Sequence, residues 1–252
     1  MIDTPRPPLV LSSLSGESDA GWARAGLPYA DAAVLGGIAL DERAREAARK
    51  LVARDRNEFL PSDPVAFVDA QFGALADTSL EMGINVRTTE PETLAPIAAV
   101  CADHDAFLEI NAHCRQDELC AIGCGERLLA DTDRLCRYVT RATDAEPTVP
   151  VGVKVRAEVP DVALPATCRR LERAGASFVH VDAMDTEPIV AEIAEACDLW
   201  LIANNGVRDQ ETVETYLEYG ADAVSVGRPS DNPAVLSRVE KALESVGNQI
   251  RW

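Results

Sequence analysis

Short apolar runs alternate with amphipathic stretches along the whole chain, with no long linker between them. The runs Leu9–Leu14, Ala32–Leu35, Met82–Val86, Ala106–Ala112, Val151–Val155, Phe178–Val181, Leu199–Ala203 and Ala223–Val226 read as strands. Several are apolar almost throughout, as strands covered on both faces should be. Between them, Asp41–Arg54, Pro64–Ala76, Glu90–Ala102, Glu126–Ala142, Leu164–Arg173, Pro188–Ala196 and Glu211–Tyr219 carry helical spacing. Gly175 and Gly220 mark helix ends just before strands, so RAGASFVHV and EYGADAVSV are one helix–glycine–strand joint used twice.

Strands alternating with helices at this density imply a parallel sheet, either a closed barrel or an open doubly wound sheet. The glycine-containing segment after the first strand, LSGESD, lacks the GxGxxG pattern of a dinucleotide fold. The expectation is therefore α/β, a (β/α)8 TIM barrel forming a single domain over residues 1–252. In such a barrel the chemistry sits where the strands end. Those ends are polar here: Ser15 and Gly16, Asn85, Asn111 to Cys114, Lys154 and Arg156, Asp182, Asn204 to Gly206, and Gly227 with Arg228.

The last two ends, ANNGV and SVGRP, suit phosphate. Gly206 and Gly227 let the main chain approach an anion, Asn205 tolerates left-handed geometry, and Arg228 adds a guanidinium fork; the alternative is a pair of ordinary turns. Lys154 and Arg156 are two residues apart, so both point into the barrel mouth. A lysine between valines needs an anionic or hydrogen-bonding partner, either a ligand or a neighbouring strand-end carboxylate such as Glu109. Cys114, just beyond the fourth strand, can be a general acid, a nucleophile or an idle thiol. His113, Cys114, Cys120 and Cys124 lie close in sequence, but their spacing matches no standard zinc or iron–sulfur pattern, and no metal is expected. His104 and His180 read as structural, with His180 facing the helix layer.

Composition narrows the partners. The net charge is -18, only three lysines occur, and aromatic residues make up 5%. This acidity reads either as adaptation to high salt or as selection against polyanions; it is unfavourable for binding nucleic acid, and no DNA partner is expected. No run of eighteen apolar residues is present, so no membrane span is expected. The opening MIDTPRPPLVLSSLSG has no basic segment followed by an apolar one, so it reads as no signal peptide and the protein as cytoplasmic. Seven cysteines are an odd count, and reduced thiols are the default. Nothing in the chain bears on oligomeric state.

From Leu9 to Arg228 the chain resembles the FMN-dependent tRNA-dihydrouridine synthases and their archaeal relatives. LSSLSGESDAGW is similar to the family's strand-one phrase, with Gly16, Asp19 and Trp22 in step. INVRTTEP resembles its VQLxGxxP phrase, with Asn85 in place of the flavin-contacting glutamine. In EINAHCRQDELCAIGCGERLL, Asn111 and Cys114 keep the N-x-x-C spacing of IdiNxGCP, and Gly123, Gly125, Leu128 and Leu129 supply GxGxxLL. VGVKVR, IANNGV and VGR resemble the KxR strand and the closing phosphate phrases.

The resemblance implies FMN, reduced by NAD(P)H, and Cys114 as the acid that protonates C5 of a uracil ring while hydride reaches C6. It implies flavin contacts from Ser13, Asn85, Asn111, Lys154, Arg156, Asn204, Asn205, Gly206, Gly227 and Arg228, and substrate contacts from Asn111, Arg156 and Asp182. The chain departs from the pattern at His113, Arg115, Glu118 and Asp182, the last standing where the family has histidine. No counterpart of the family's appended helical tRNA-binding domain is expected after the barrel. Three functions remain open on these grounds: reduction of uridine in tRNA, reduction of a free pyrimidine in the manner of dihydroorotate or dihydropyrimidine dehydrogenases, and non-redox binding of a phosphorylated ligand.

Overall fold

The computed structural model describes residues 8–249. Residues 1–7, which include the start of the segment read as no leader, lie outside the described residues, as do 250–252. Eight parallel strands close into a barrel in sequence order, β1 (Leu9–Leu11), β2 (Ala32–Ala39), β3 (Glu81–Arg87), β4 (Phe107–Asn111), β5 (Val151–Arg156), β6 (Phe178–Asp182), β7 (Trp200–Asn204) and β8 (Ala223–Val226), with β8 pairing back onto β1. The open-sheet alternative is thereby excluded. No helix among the described residues is long and apolar enough to cross a membrane.

Two-residue periodicity divides each strand between two surroundings. Leu108 and Ile110 of β4, Val151, Val153 and Val155 of β5, and Val179 and Val181 of β6 point outward into the main core beneath the helices. The alternate residues point inward and change character along the barrel axis. At the amino-terminal end Val10, Val34, Phe178, Ile202 and Ala223 pack with Phe107 and Trp200. Phe107 and Phe178 meet edge to face at 5.3 Å, and their rings occupy the space where Gly83 and Gly152 would otherwise carry a Cβ. Higher up, the inward positions are Asn85, Glu109, Lys154, His180 and Ser225, all buried. The barrel is thus plugged by aromatic rings at one end and becomes polar toward the other.

Several predicted elements differ from the structure; the strand predicted over Ala32–Leu35 runs on to Ala39, and the helix predicted over Pro64–Ala76 ends at Gly73. The strand predicted over Leu9–Leu14 ends at Leu11, because Ser18 Oγ takes the Leu14 amide at 2.7 Å and turns the chain. The helix predicted over Glu126–Ala142 is two, Glu126–Ala130 and Thr132–Ala145; Asp131 interrupts it by capping the second, accepting from Arg134 N at 3.1 Å. The helix predicted over Glu90–Ala102 begins as a 3-10 turn, Pro91–Thr93, before Leu94–Asp103.

Asp41 joins two layers. It caps the helix Glu42–Val52 through Ala44 N and accepts from Thr88 Oγ1 at 2.8 Å and Thr89 N at 2.5 Å, beyond β3. Burial pushes its carboxyl up, but the Thr89 and Ala44 amides and the two threonine hydroxyls outweigh that and hold it below the usual value. We expect Asp41→Ala to cost about 2 kcal/mol, more than an isolated cap. Because the folded value is depressed, this contribution is full above about pH 4 and is lost as pH falls through the folded value. Urea unfolding at two pH values checks it: the difference between mutant and wild type should shrink on acidification.

Candidate active site

The carboxyl ends of β1 and β4–β8 surround a cavity of about 660 Å³, within the range of small-molecule sites. Ser13, Cys114, Lys154, Arg156, Asp182, Asn204, Asn205, Gly206, Gly227 and Arg228 all line it. Lys154 and Gly227 therefore belong to one pocket. Asn85 and Asn111 do not line it: they are buried one layer below, where Asn111 Nδ2 donates to Asn85 Oδ1 at 2.9 Å.

Among the described residues the cavity wall carries five cations, Arg115, Lys154, Arg156, Arg208 and Arg228, and a single carboxylate, Asp182. In a chain of net charge -18 that is a local inversion of sign, and a wall with low-dielectric backing concentrates it. Lys154 and Arg156 are buried, whereas Arg115, Arg208 and Arg228 are exposed at the rim. Lys154 Nζ donates to Ser12 Oγ across the barrel. The alternative of a Lys154–Glu109 pair is not what forms, since the Glu109 carboxylate receives Asn85 Nδ2 and His180 Nδ1, each at 2.6 Å. Arg156 Nη1 lies 3.3 Å from Glu126 Oε2, and its buried Nε has no protein partner.

At the end of β7, Asn205 and Gly206 both adopt left-handed backbone, at φ 87° and 72°. Tyr216 Oη donates to Asn205 O at 2.7 Å and fixes that turn. At the end of β8, the space a side chain would fill at Gly227 is open.

Cys114 is 7% exposed and packs with Ala47, Leu51, Leu119 and Cys124. Burial pushes its thiol up; Arg87, the Asn111 side chain and Lys154 offset only part of that. The group is accordingly a neutral thiol at pH 7, suited to give a proton rather than to attack as thiolate. Asn111 Oδ1 accepts from the Cys114 and His113 amides at 3.3 and 3.4 Å and so shapes the turn. Gly125 (φ 59°) approaches the Cys114 carbonyl where a Cβ would clash. Glycine of the GxGxxLL phrase is required there by contact with the cysteine itself.

Several wall residues had no role assigned from sequence: Ser12, Arg115, Arg208, Ser225 and His113. The buried Nδ1 of His113 has no protein partner, and burial together with Lys154 and other cations holds the ring well below its usual pKa, hence neutral. Its signal was adjacency to Cys114. His180 corrects an expectation. Register pairs it with Lys154, so it faces the barrel interior and not the helix layer. Asp182, two residues on, does share its face, but that face is the inner one. Among the described residues no group of three or more His, Cys, Asp or Glu side chains could hold a metal ion, and the seven cysteines are free.

The donor set fits a phosphorylated aromatic ligand. The buried, unpartnered Arg156 Nε calls for an acceptor, and His113 Nδ1 for a hydrogen-bonding partner, that the protein does not supply, and the open surface at Gly227 lies beside Arg228.

Comparison with solved structures shows the fold alone. Thiamine phosphate pyrophosphorylase from Pyrococcus furiosus superposes with a TM-score of 0.57 at 11% identity, covering 98% of both chains. 3-Hexulose-6-phosphate synthase from Salmonella typhimurium gives 0.58 at 16%, covering 94% of this chain and 99% of that one. An uncharacterized protein of Methanocaldococcus jannaschii is 26% identical over 233 residues, covering 87% of this chain and 88% of its own length. The sequence profile of dihydrouridine synthase (Dus) matches residues 73–249, which takes in β4 with its cysteine turn, the lysine strand β5 and both closing turns. With the barrel closed and those phrases gathered at one mouth, the chain belongs to the dihydrouridine synthase (Dus) family.

Proposed function

We propose that this protein is an FMN-dependent oxidoreductase that reduces the C5=C6 bond of a uridine in tRNA, with NAD(P)H as the electron donor. The observation that carries the reading is one cavity lined by both a buried neutral thiol, Cys114, and a cationic wall, Lys154 and Arg156 with three rim arginines. The flavin, when bound, supplies the hydride that goes to C6. Cys114 Sγ gives its proton to C5, is left as thiolate, and recovers a proton from solvent before the next turnover. Lys154 and Arg156 hold the flavin ring and its negative charge, while Asn205, Gly206, Gly227 and Arg228 receive the phosphate. Arg156 and Asp182 face the uracil, and the rim arginines Arg115 and Arg208 meet the substrate backbone.

The test is incubation with NADPH and either tRNA lacking dihydrouridine or free uracil and orotate, followed by nucleoside mass spectrometry. Dihydrouridine in the tRNA alone supports the reading. Reduction of the free base alone moves the substrate to the small pyrimidines, and a protein purified without flavin absorbance that takes up no FMN overturns the redox reading.

Lys154→Ala is expected to weaken FMN binding at least tenfold, the scale of one charge-assisted hydrogen bond. Fluorescence titration of the apoprotein measures it. An unchanged dissociation constant removes Lys154 from the flavin site.

A further inference from the structure

Beneath the cavity floor, buried side chains form one continuous hydrogen-bonded chain across the barrel. Glu109 lies at its centre. Through β3 and back to the end of β4, Glu109 Oε1 accepts from Asn85 Nδ2 at 2.6 Å, Asn85 Oδ1 accepts from Asn111 Nδ2 at 2.9 Å, and Asn111 Oδ1 accepts from the amides of Cys114 and His113. Toward β7, Glu109 Oε2 meets His180 Nδ1 at 2.6 Å, His180 Nε2 meets Ser225 Oγ at 2.7 Å, and Asn204 Nδ2 donates to Ser225 Oγ at 2.6 Å. Glu109 and His180 are both fully buried.

The direction of every bond follows from the carboxylate. An ionised glutamate accepts only, so Asn85 must turn its NH2 toward it. That leaves Asn85 Oδ1 for Asn111, and Asn111 Oδ1 for the two amides of the cysteine turn. On the other side His180 must carry its proton on Nδ1, so Nε2 accepts from the Ser225 hydroxyl. Ser225 Oγ then accepts from Asn204 Nδ2, which also donates to the Ser225 main-chain carbonyl at 3.3 Å, and both bonds direct the Asn204 carbonyl oxygen away from the chain. The groups facing His180 are Glu109, Lys154 and Asp182; burial and Lys154 hold its ring below the usual pKa and hence neutral. Burial pushes Glu109 up, but the hydrogen bonds from His180 and Asn85 and the nearby Lys154 charge hold it down, so the carboxylate stays ionised beside a neutral His180.

We propose that Glu109 and His180 are positioning residues: one buried carboxylate sets the polarity of a hydrogen-bonded chain that orients the Cys114 turn at one end and, together with the Ser225 main-chain carbonyl, holds Asn204 at the other. Asn204 then offers its carbonyl oxygen to the cavity and pairs with a ligand hydroxyl or N–H rather than with a phosphate oxygen. The value of this for turnover rests on the function proposed above, but the polarity itself does not.

The experiment is therefore done on apoprotein, without flavin or substrate. Nitrogen-15 NMR of labelled histidine distinguishes the ring tautomers, and only His104, His113 and His180 contribute. Wild-type His180, assigned with His180→Gln, is expected as the Nδ1–H tautomer throughout about pH 6–8. Glu109→Gln offers one acceptor and one donor, so one arm must reverse. The imidazole can exchange its proton between nitrogens, whereas the asparagine arm would turn an NH2 onto two amide N–H groups. His180 is thus expected to switch to Nε2–H, with alkylation of Cys114 by iodoacetamide, followed on its own peptide, within about twofold of wild type. Glu109→Leu removes the anchor of both arms and is expected to speed that alkylation at least tenfold. A wild-type Nε2–H or doubly protonated ring, an unchanged tautomer in Glu109→Gln, or wild-type alkylation in a folded Glu109→Leu overturns the proposal. Should Glu109→Leu not fold, the tautomer pair decides. Loss of the uridine-reductase reading would leave all of these signals in place.

Discussion

Cys114→Ala is expected to retain flavin at the wild-type stoichiometry and to lose about 10²–10⁴-fold in turnover, the usual worth of a placed general acid. The side chain contributes little to the local fold, because the turn is held through the Cys114 backbone, whose amide donates to Asn111 and whose carbonyl accepts from Glu126 N at 2.9 Å. Removing one sulfur atom therefore takes away the proton and leaves the cavity. Single-turnover oxidation of the reduced flavin by tRNA isolates that step. The pH dependence carries a second signature: burial raises the thiol, so activity in the wild type should persist to mildly alkaline pH and fall only as the thiol ionises. Full activity in the alanine protein would remove Cys114 from the chemistry and, with it, the proposed proton route.

The second large effect lies outside the cavity. Glu58→Ala is expected to destabilise the fold by about 3–5 kcal/mol. Arg87 Nη2 donates to Glu58 Oε2 at 2.8 Å, to Ser15 Oγ at 2.6 Å and to Gly37 O at 3.0 Å, and both charged side chains are sealed from solvent, at 0% and 2% exposure. Arg87 Nε and Nη1 already lack partners, so removal of Glu58 leaves a buried guanidinium with no compensating charge. The exposed pair Arg24–Asp77, though closer at 2.6 Å, should contribute far less, because water screens it. Denaturant unfolding of Glu58→Ala and of Asp77→Ala compares the two cases. Replacing Arg87 and Glu58 together by methionine and leucine should recover most of the loss, since the penalty comes from the orphaned charge. A single-mutant cost below about 1 kcal/mol would mean that water reaches Arg87.

The two cases differ in how far they were visible along the chain. Cys114 announced itself by its place after an apolar strand and by N-x-x-C spacing. Arg87 and Glu58 are 29 residues apart and carry no local pattern; only closure of the β1–β3 ends brings them together. Asn85 and Asn111 show the same limit from the other side. Their strand-end positions pointed to ligand contact, yet the barrel narrows below them, and their amides are used up on each other and on Glu109. Asp131, by contrast, is a residue type that caps helices, but the apolar spacing that runs on through it hides the break.

Periodicity alone established the eight strands, their alternation with helices, and the polar residues that recur two apart in β4 to β6: Glu109 and Asn111, Lys154 and Arg156, His180 and Asp182. A two-residue repeat says which side chains share a face. It cannot say which face is inside, because a strand covered by helices on one side and by the barrel on the other is buried on both. That choice, and with it the place of His180 in the polar interior, the Glu109-centred chain and the sealing of Arg87, was made by closure of the sheet, which brings distant strands within hydrogen-bonding reach of one another.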